Sequence, residues 1–109
     1  MSDVKVAVVG DEITNALLNA PALTPNAGML EEEYVYLIGA AKYGAESWRN
    51  GMPWSVCLSK LMRHLGLFLN GESRCPVDGQ HHLGSVKFWA NALIEYEQTH
   101  PELDDIRKK

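Results

Sequence analysis

Lys60, Arg63 and His64 fall within five residues of one apolar-periodic stretch. Lys60 and His64 stand at i and i+4, so a helix sets them on one face with Arg63 beside them. Three potential cations so placed could take the oxygens of a phosphate. A solvated helix face, with His64 half-buried against Phe68, is the plainer reading of the same residues. Downstream, Glu72, Asp78, His81 and His82 lie within eleven residues. Carboxylates of this kind suit Mg²⁺ or Mn²⁺, and a histidine pair suits Zn²⁺. The spacing matches no closed zinc motif, Cys75 has no neighbouring thiol, and adjacent His81 and His82 diverge on a helix. A polar loop leading into a helix would be spelled the same way.

Aromatic residues offer a second chemistry. His82, Ser85, Trp89 and Tyr96 form one helical stripe, and a ring there could stack on a nucleobase. The plainer reading is that Trp89 and Tyr96 complete a core or a dimer interface. Trp48 and Trp54 flank a connector and read first as a roof over the helices, with base stacking as the lesser role. Glu31, Glu32 and Glu33 are a further metal candidate. Helical pyrophosphohydrolases of the MazG type space such carboxylates as Glu-Glu-x-x-Glu, whereas here the three are consecutive and point apart. They read as a solvated first turn placed at the positive end of a helix.

Three helices must carry these groups. The first is expected from about Met29 to Tyr43, with Tyr34, Leu37, Ile38 and Ala41 on its inner face and Gly44 ending it. The second starts at Pro53, tolerated in a first turn, and carries Leu58, Leu61, Met62, Leu65, Phe68 and Leu69 as its stripe. Asn70-Gly71 closes it, and residues 72–79 form a loop. The third spans about His82 to Gln98, with Leu83, Val86, Ala90, Leu93 and Ile94 inward. Pro101 stops it, and the charged tail from Glu102 is expected to fray. Before them, residues 4–9 are a possible short strand, residues 11–19 weakly helical and residues 21–28 a loop, together an irregular N-terminal arm. The expected architecture is all-α, a small bundle of three amphipathic helices completed by dimerisation. Residues 1–28 form the arm and residues 29–109 the helical domain.

The totals agree with one small domain. The chain has 109 residues, 46% hydrophobic and 22% charged, which suits a single globular unit. Its formal net charge of −4 argues against a partner as large and anionic as a long nucleic acid. One nucleotide needs only a local cluster of cations. Two cysteines make no disulfide framework. No apolar run approaches the ~18 residues of a membrane helix, and no signal-peptide pattern opens the chain. The expected setting is cytoplasmic.

The order of short motifs goes further. Lys42-Tyr43-Gly44 is followed by Trp48-Arg49-Asn50-Gly51-Met52-Pro53-Trp54-Ser55, then Leu61-Met62-Arg63-His64-Leu65, Phe68-Leu69-Asn70-Gly71-Glu72, Asp78-Gly79-Gln80-His81-His82-Leu83 and an acidic ending at Pro101–Asp105. This succession resembles the phage-type dATP/dGTP diphosphohydrolase N-terminal domain family over roughly residues 31–106. The resemblance implies hydrolysis of purine deoxynucleoside triphosphates to monophosphate and pyrophosphate, in the host cytoplasm if phage-encoded. It implies Mg²⁺, with Mn²⁺ or Co²⁺ as alternatives, held by Glu72, Asp78 and His82. Arg63, His64 and Lys42 would be catalytic, and Trp48, Trp54, Lys60 and Trp89 would bind nucleotide. Two spellings depart from the family. Ser73 and Cys75 stand where acidic residues are usual, and Phe88-Trp89-Ala90-Asn91 replaces the usual Ala-Trp-Asn. The first departure favours an alternative, a non-catalytic phage protein that sequesters a nucleotide signal. A small adaptor binding a host protein is a third reading.

Overall fold

A computed structural model describes residues 26–107; the expected strand at 4–9 and weak helix at 11–19 lie outside them. Three α-helices dominate, α1 (Asn26–Tyr43), α2 (Trp54–Leu69) and α3 (His82–Thr99). Short 3₁₀ turns at Ser47–Asn50 and Pro101–Leu103 flank the α2–α3 pair. The described residues contain no strand, so the all-α bundle expected from the spacing is the architecture found.

α3 is the central element. It packs along α2 and, on another side, against α1, while α1 and α2 hardly touch. Its seam with α2 follows the stripe of His82, Ser85, Ala92 and Tyr96, all buried. The expected apolar stripe through Leu83 and Ile94 is not the seam, and Ile94 is mostly exposed. Small and polar side chains let the two helices approach, and that closeness outweighs the apolar count. Trp54, Cys57, Ala92 and Tyr96 form the core, with Trp48, Met52, Trp89, Leu93 and Leu103 packed on it. The Tyr96 hydroxyl donates to the Trp48 carbonyl and ties the 3₁₀ turn to α3.

α1 differs from its expectation in two respects. It is already helical at Asn26, so residues 26–28 are not loop and Glu31, Glu32 and Glu33 lie beyond its first turn. Glu31 and Glu32 instead pair with Arg74 and Lys87. The inward residue is Val35, while Leu37 is 67% exposed and Ala41 is exposed as well. The reason is a single-sided contact. A Cβ at Gly84 would stand 2.8 Å from the Glu31 carbonyl oxygen, so backbone meets backbone there and only one narrow face of α1 is covered.

The tail does not fray at its start. Asp104 is buried and accepts from the Ile106 and Arg107 amides at 3.1 and 3.0 Å. Arg107 lies over the Trp54 ring, 4.7 Å from its centre, and bonds Asp104 at 2.8 Å. Asp105 reaches the start of α2, where its carboxylate accepts from the Ser55 amide at 2.9 Å and the Ser55 hydroxyl at 2.6 Å. A carboxylate there satisfies helix donors that Pro53 and Trp54 leave open. Gly51, with φ +81°, completes the closure, since a Cβ would meet His100 and Leu103 at 2.8–2.9 Å.

Candidate functional site

The loop between α2 and α3 folds into a tight hairpin. The Cys75 amide donates to the Gln80 carbonyl at 2.8 Å and the His82 amide to the Ser73 carbonyl at 2.8 Å. This turn swings Glu72 back beside the first residue of α3. His81 ends the hairpin and caps the helix, its Nδ1 accepting from the Leu83 amide at 3.1 Å. His82 is thereby turned inward and is 1% exposed. The two neighbouring histidines diverge, as adjacency on a helix requires.

His82 is held at both ring nitrogens. Its Nε2 lies 2.7 Å from Glu72 Oε2, and its Nδ1 lies 2.9 Å from Nδ1 of His64 on α2. An ionised carboxylate only accepts, so Nε2 of His82 carries the proton. Where Nδ1 of His82 accepts, His64 donates its Nδ1–H. The Nε2 of His64 keeps its lone pair. Glu72, His82 and His64 form a directed chain that ends in a basic nitrogen. Burial pushes the His64 pKa down, helped by the imidazole of His82 and the cations Arg63 and Lys60, while Asp78 works the other way. Its ring is therefore neutral near pH 7.

The cations of α2 border this chain. Lys60 and Arg63 are exposed. Lys60 Nζ stands over the Trp89 ring, 5.7 Å from its centre, so Lys60 meets Trp89 as His64 meets His82 one turn on. Trp89, Lys60, His64 and Arg63 thus belong to one region along the α2–α3 seam. Lys42 is placed differently, with its Nζ 3.1 Å from Asp78 Oδ2. Asp78 also accepts from the Gln80 amide at 3.1 Å and the Gln80 side chain at 2.9 Å. These donors hold its carboxyl below the usual range against a burial effect in the opposite direction. The Tyr34 hydroxyl bonds the Asp78 carbonyl at 2.8 Å, so α1 grips the hairpin twice.

Glu72, Asp78 and His82 are not drawn into one cage. Among the described residues, no three His, Cys, Asp or Glu side chains are arranged to hold a metal ion. Glu72 faces His82, whereas Asp78 faces Lys42 and Gln80. The three do not fit a resident metal site in this arrangement. Trp54 is 3% exposed and belongs to the core, so its ring offers no face to a base. Trp48 is half-buried, with Arg49 over its ring at 4.4 Å.

The sequence singles out both His64 and His82 and leaves open whether they face each other, an arrangement that would favour a two-histidine metal site. The structure brings their Nδ1 atoms to 2.9 Å. The residues passed over are Tyr36, Asn91 and Glu95. With Trp48 and Ala92 they line a cavity of about 240 Å³ between α1 and α3. The i, i+4 spacing of Asn91 and Glu95 was the available signal.

No described helix is long and apolar enough to cross a membrane. No curated protein and no solved structure matches the chain. The family described as dATP/dGTP diphosphohydrolase, N-terminal, matches residues 11–106, which is nearly the whole length, and the chain belongs to that family.

Proposed function

We propose that this chain binds a purine deoxynucleoside triphosphate along the α2–α3 seam and hydrolyses it to monophosphate and pyrophosphate. The observation that carries the reading is the chain from Glu72 through His82 to His64. A binding surface alone has no use for a carboxylate and a buried imidazole that fix the tautomer of a second imidazole. A base that must take a proton from water does. His64 Nε2 accepts that proton, the hydroxide adds to phosphorus at the α–β bridge, and the bridging P–O bond breaks with pyrophosphate leaving. Lys60 and Arg63 balance the charge that gathers on the phosphoryl oxygens. Trp89, half-buried beside Lys60, would stack on the base.

Mg²⁺, or Mn²⁺ or Co²⁺, belongs to the proposal as part of the substrate, chelated by the triphosphate. Magnesium commonly binds through phosphates with one or two carboxylates rather than in an all-protein cage.

The test is to incubate the protein with each dNTP and each of the three ions and to separate the products by chromatography. Release of dGMP or dAMP with pyrophosphate supports the hydrolase. Arg63→Ala should then lose turnover by orders of magnitude with the fold intact, and near-normal turnover would remove Arg63 from the site. Unchanged triphosphate at stoichiometric enzyme sinks the reading. Retention of that unchanged nucleotide on the protein would move the assignment to sequestration. The hairpin favours this second reading in one respect. Ser73 and Cys75, where the family has acidic residues, lend their backbone to the turn and add no carboxylate.

A further inference from the structure

Among the described residues, α3 is covered on one flank and open on the other. Its seam with α2 passes through His82, Ser85, Trp89 and Ala92. The residues that receive α1 each precede a seam residue by one position. Gly84 meets the Glu31 backbone, Phe88 the Tyr36 ring and Asn91 the Tyr36 hydroxyl. One position is about 100° of rotation, so α1 occupies a single side of the α2–α3 pair. The residues that follow the seam stand on the other side. They are Leu83, Val86 and Ala90, all half-buried, with Ile94 beside them at 60% exposure.

α2 repeats the arrangement. Its seam passes through Cys57, His64 and Phe68, and Leu58, Leu65 and Leu69 each follow one of these. Met62 completes the stripe, and Met62 and Leu69 are 60% and 75% exposed. His64 meets the start of α3, whereas Trp54 and Cys57 pack with Ala92 and Tyr96, so the two helices run in opposite directions. Equal rotations from the seam of an antiparallel pair emerge on the same side. The two stripes therefore merge into one apolar face turned away from α1, and none of their residues is charged. Gly66 lies at this face. A Cβ there would meet nothing within 4 Å, so nothing described in the chain requires a glycine that weakens the helix.

We propose that this face binds the same face of a second copy, so that two α2–α3 layers close a four-helix bundle about a two-fold axis. Three observations favour a copy over a foreign partner. The stripes offer no charge by which a foreign surface could be selected, and the net charge of −4 lies off them. α2 has 16 residues, about 24 Å, and two helices span about 20 Å, so each copy offers about 500 Å² in projection. The pair then covers about 1,000 Å², the area a specific interface needs. Gly66 lets facing helices approach closely, as Gly84 does within the chain. Arg63 precedes the seam residue His64 by one position and so stays open on the other flank. The dimer does not depend on the proposed activity.

The test is the mass of the full chain by sedimentation equilibrium. Twice the 12.1 kDa of one chain is expected, with a Tm that rises with protein concentration. Met62→Lys should give the monomer. Gly66→Leu should weaken association by about tenfold or more, although within one chain it gains a better helix former in open space. Leu37→Lys, on α1 and 67% exposed, should leave the dimer intact. Circular dichroism shows whether each variant is folded. If Met62→Lys unfolds, Gly66→Leu and the concentration dependence of the parent decide. A monomeric parent whose Tm ignores concentration would overturn the proposal and leave the face to residues 1–25 or to another protein. Dimers that persist in both α2 variants, or that are lost in Leu37→Lys, would overturn it as well.

Discussion

Nδ1 of His64 and Nδ1 of His82 stand 2.9 Å apart, across the seam of two helices and eighteen positions apart in the chain. Two imidazoles in that arrangement share one proton between identical atoms, and Glu72 on the far side of His82 decides which ring donates. His64→Ala should lower kcat by about 10²–10⁴-fold, the usual contribution of a positioned base. Glu72→Gln should have a smaller effect, since an amide oxygen can still accept from His82. A larger loss in Glu72→Gln than in His64→Ala, measured by pyrophosphate release, would reverse the proposed order of the chain.

Gly84→Ala should destabilise the protein by roughly 1–3 kcal/mol, the common cost of forcing an extra carbon into a closed contact. The added carbon would meet the Glu31 backbone at 2.8–3.0 Å, and a carbonyl cannot swing aside as a side chain can. Chemical denaturation of the two proteins gives the difference directly. Equal midpoints would mean that α1 shifts along α3 at no cost.

Asp105 provides an acid-side test. Hydrogen bonds from the Ser55 hydroxyl and amide hold its carboxyl below the ordinary value of 3.8. A depressed carboxyl stabilises the fold above its unfolded pKa and loses that contribution as pH falls through the folded one. Asp105→Asn should therefore melt below the parent at neutral pH, with the gap closing in acid. A gap that does not change with pH would assign the effect to shape rather than charge.

Tyr96 provides the alkaline counterpart. Burial pushes its phenol up from 10 to about 12. Its contribution is complete below pH 10 and is lost as pH rises through about 12, because the unfolded chain ionises first. Tyr96→Phe should cost about 1–2 kcal/mol at neutral pH by removing the bond to the Trp48 carbonyl. The deficit should narrow above pH 10. Parallel melting temperatures across that range would contradict the assignment.

Much of this arrangement was legible in the residues, for definite reasons. Pro53, Asn70-Gly71 and Pro101 are strong stops and starts, so α2 and α3 were placed to within a residue or so. The motif order identified the family. The α2–α3 seam was harder to read, because it runs through His82, Ser85 and Tyr96, polar residues that qualify as inward only when their partners are known. The contact of His64 with His82 depends on the helix-to-helix register, which a one-dimensional pattern does not carry. The tail misled because charge predicts solvation, whereas Asp104, Asp105 and Arg107 each find a partner. The cage expected of Glu72, Asp78 and His82 depended on loop conformation, and the hairpin sends two of them to different neighbours.

α1 is joined to α3 and the hairpin and has almost no contact with α2. Among the described residues its hold includes Val35, the Gly84 approach, the Tyr36 ring against Phe88 and polar links to Arg74, Asp78, Lys87 and Asn91. Cooperative units of a protein follow such divisions of contact. Amide protons of α1 should accordingly exchange with solvent deuterium through a lower-energy opening than those of α2 and α3. That opening would remove Lys42 and Tyr34 from Asp78 while leaving the His64–His82 pair closed. The molecule could then release its first helix without dismantling the chain of groups proposed to do the chemistry.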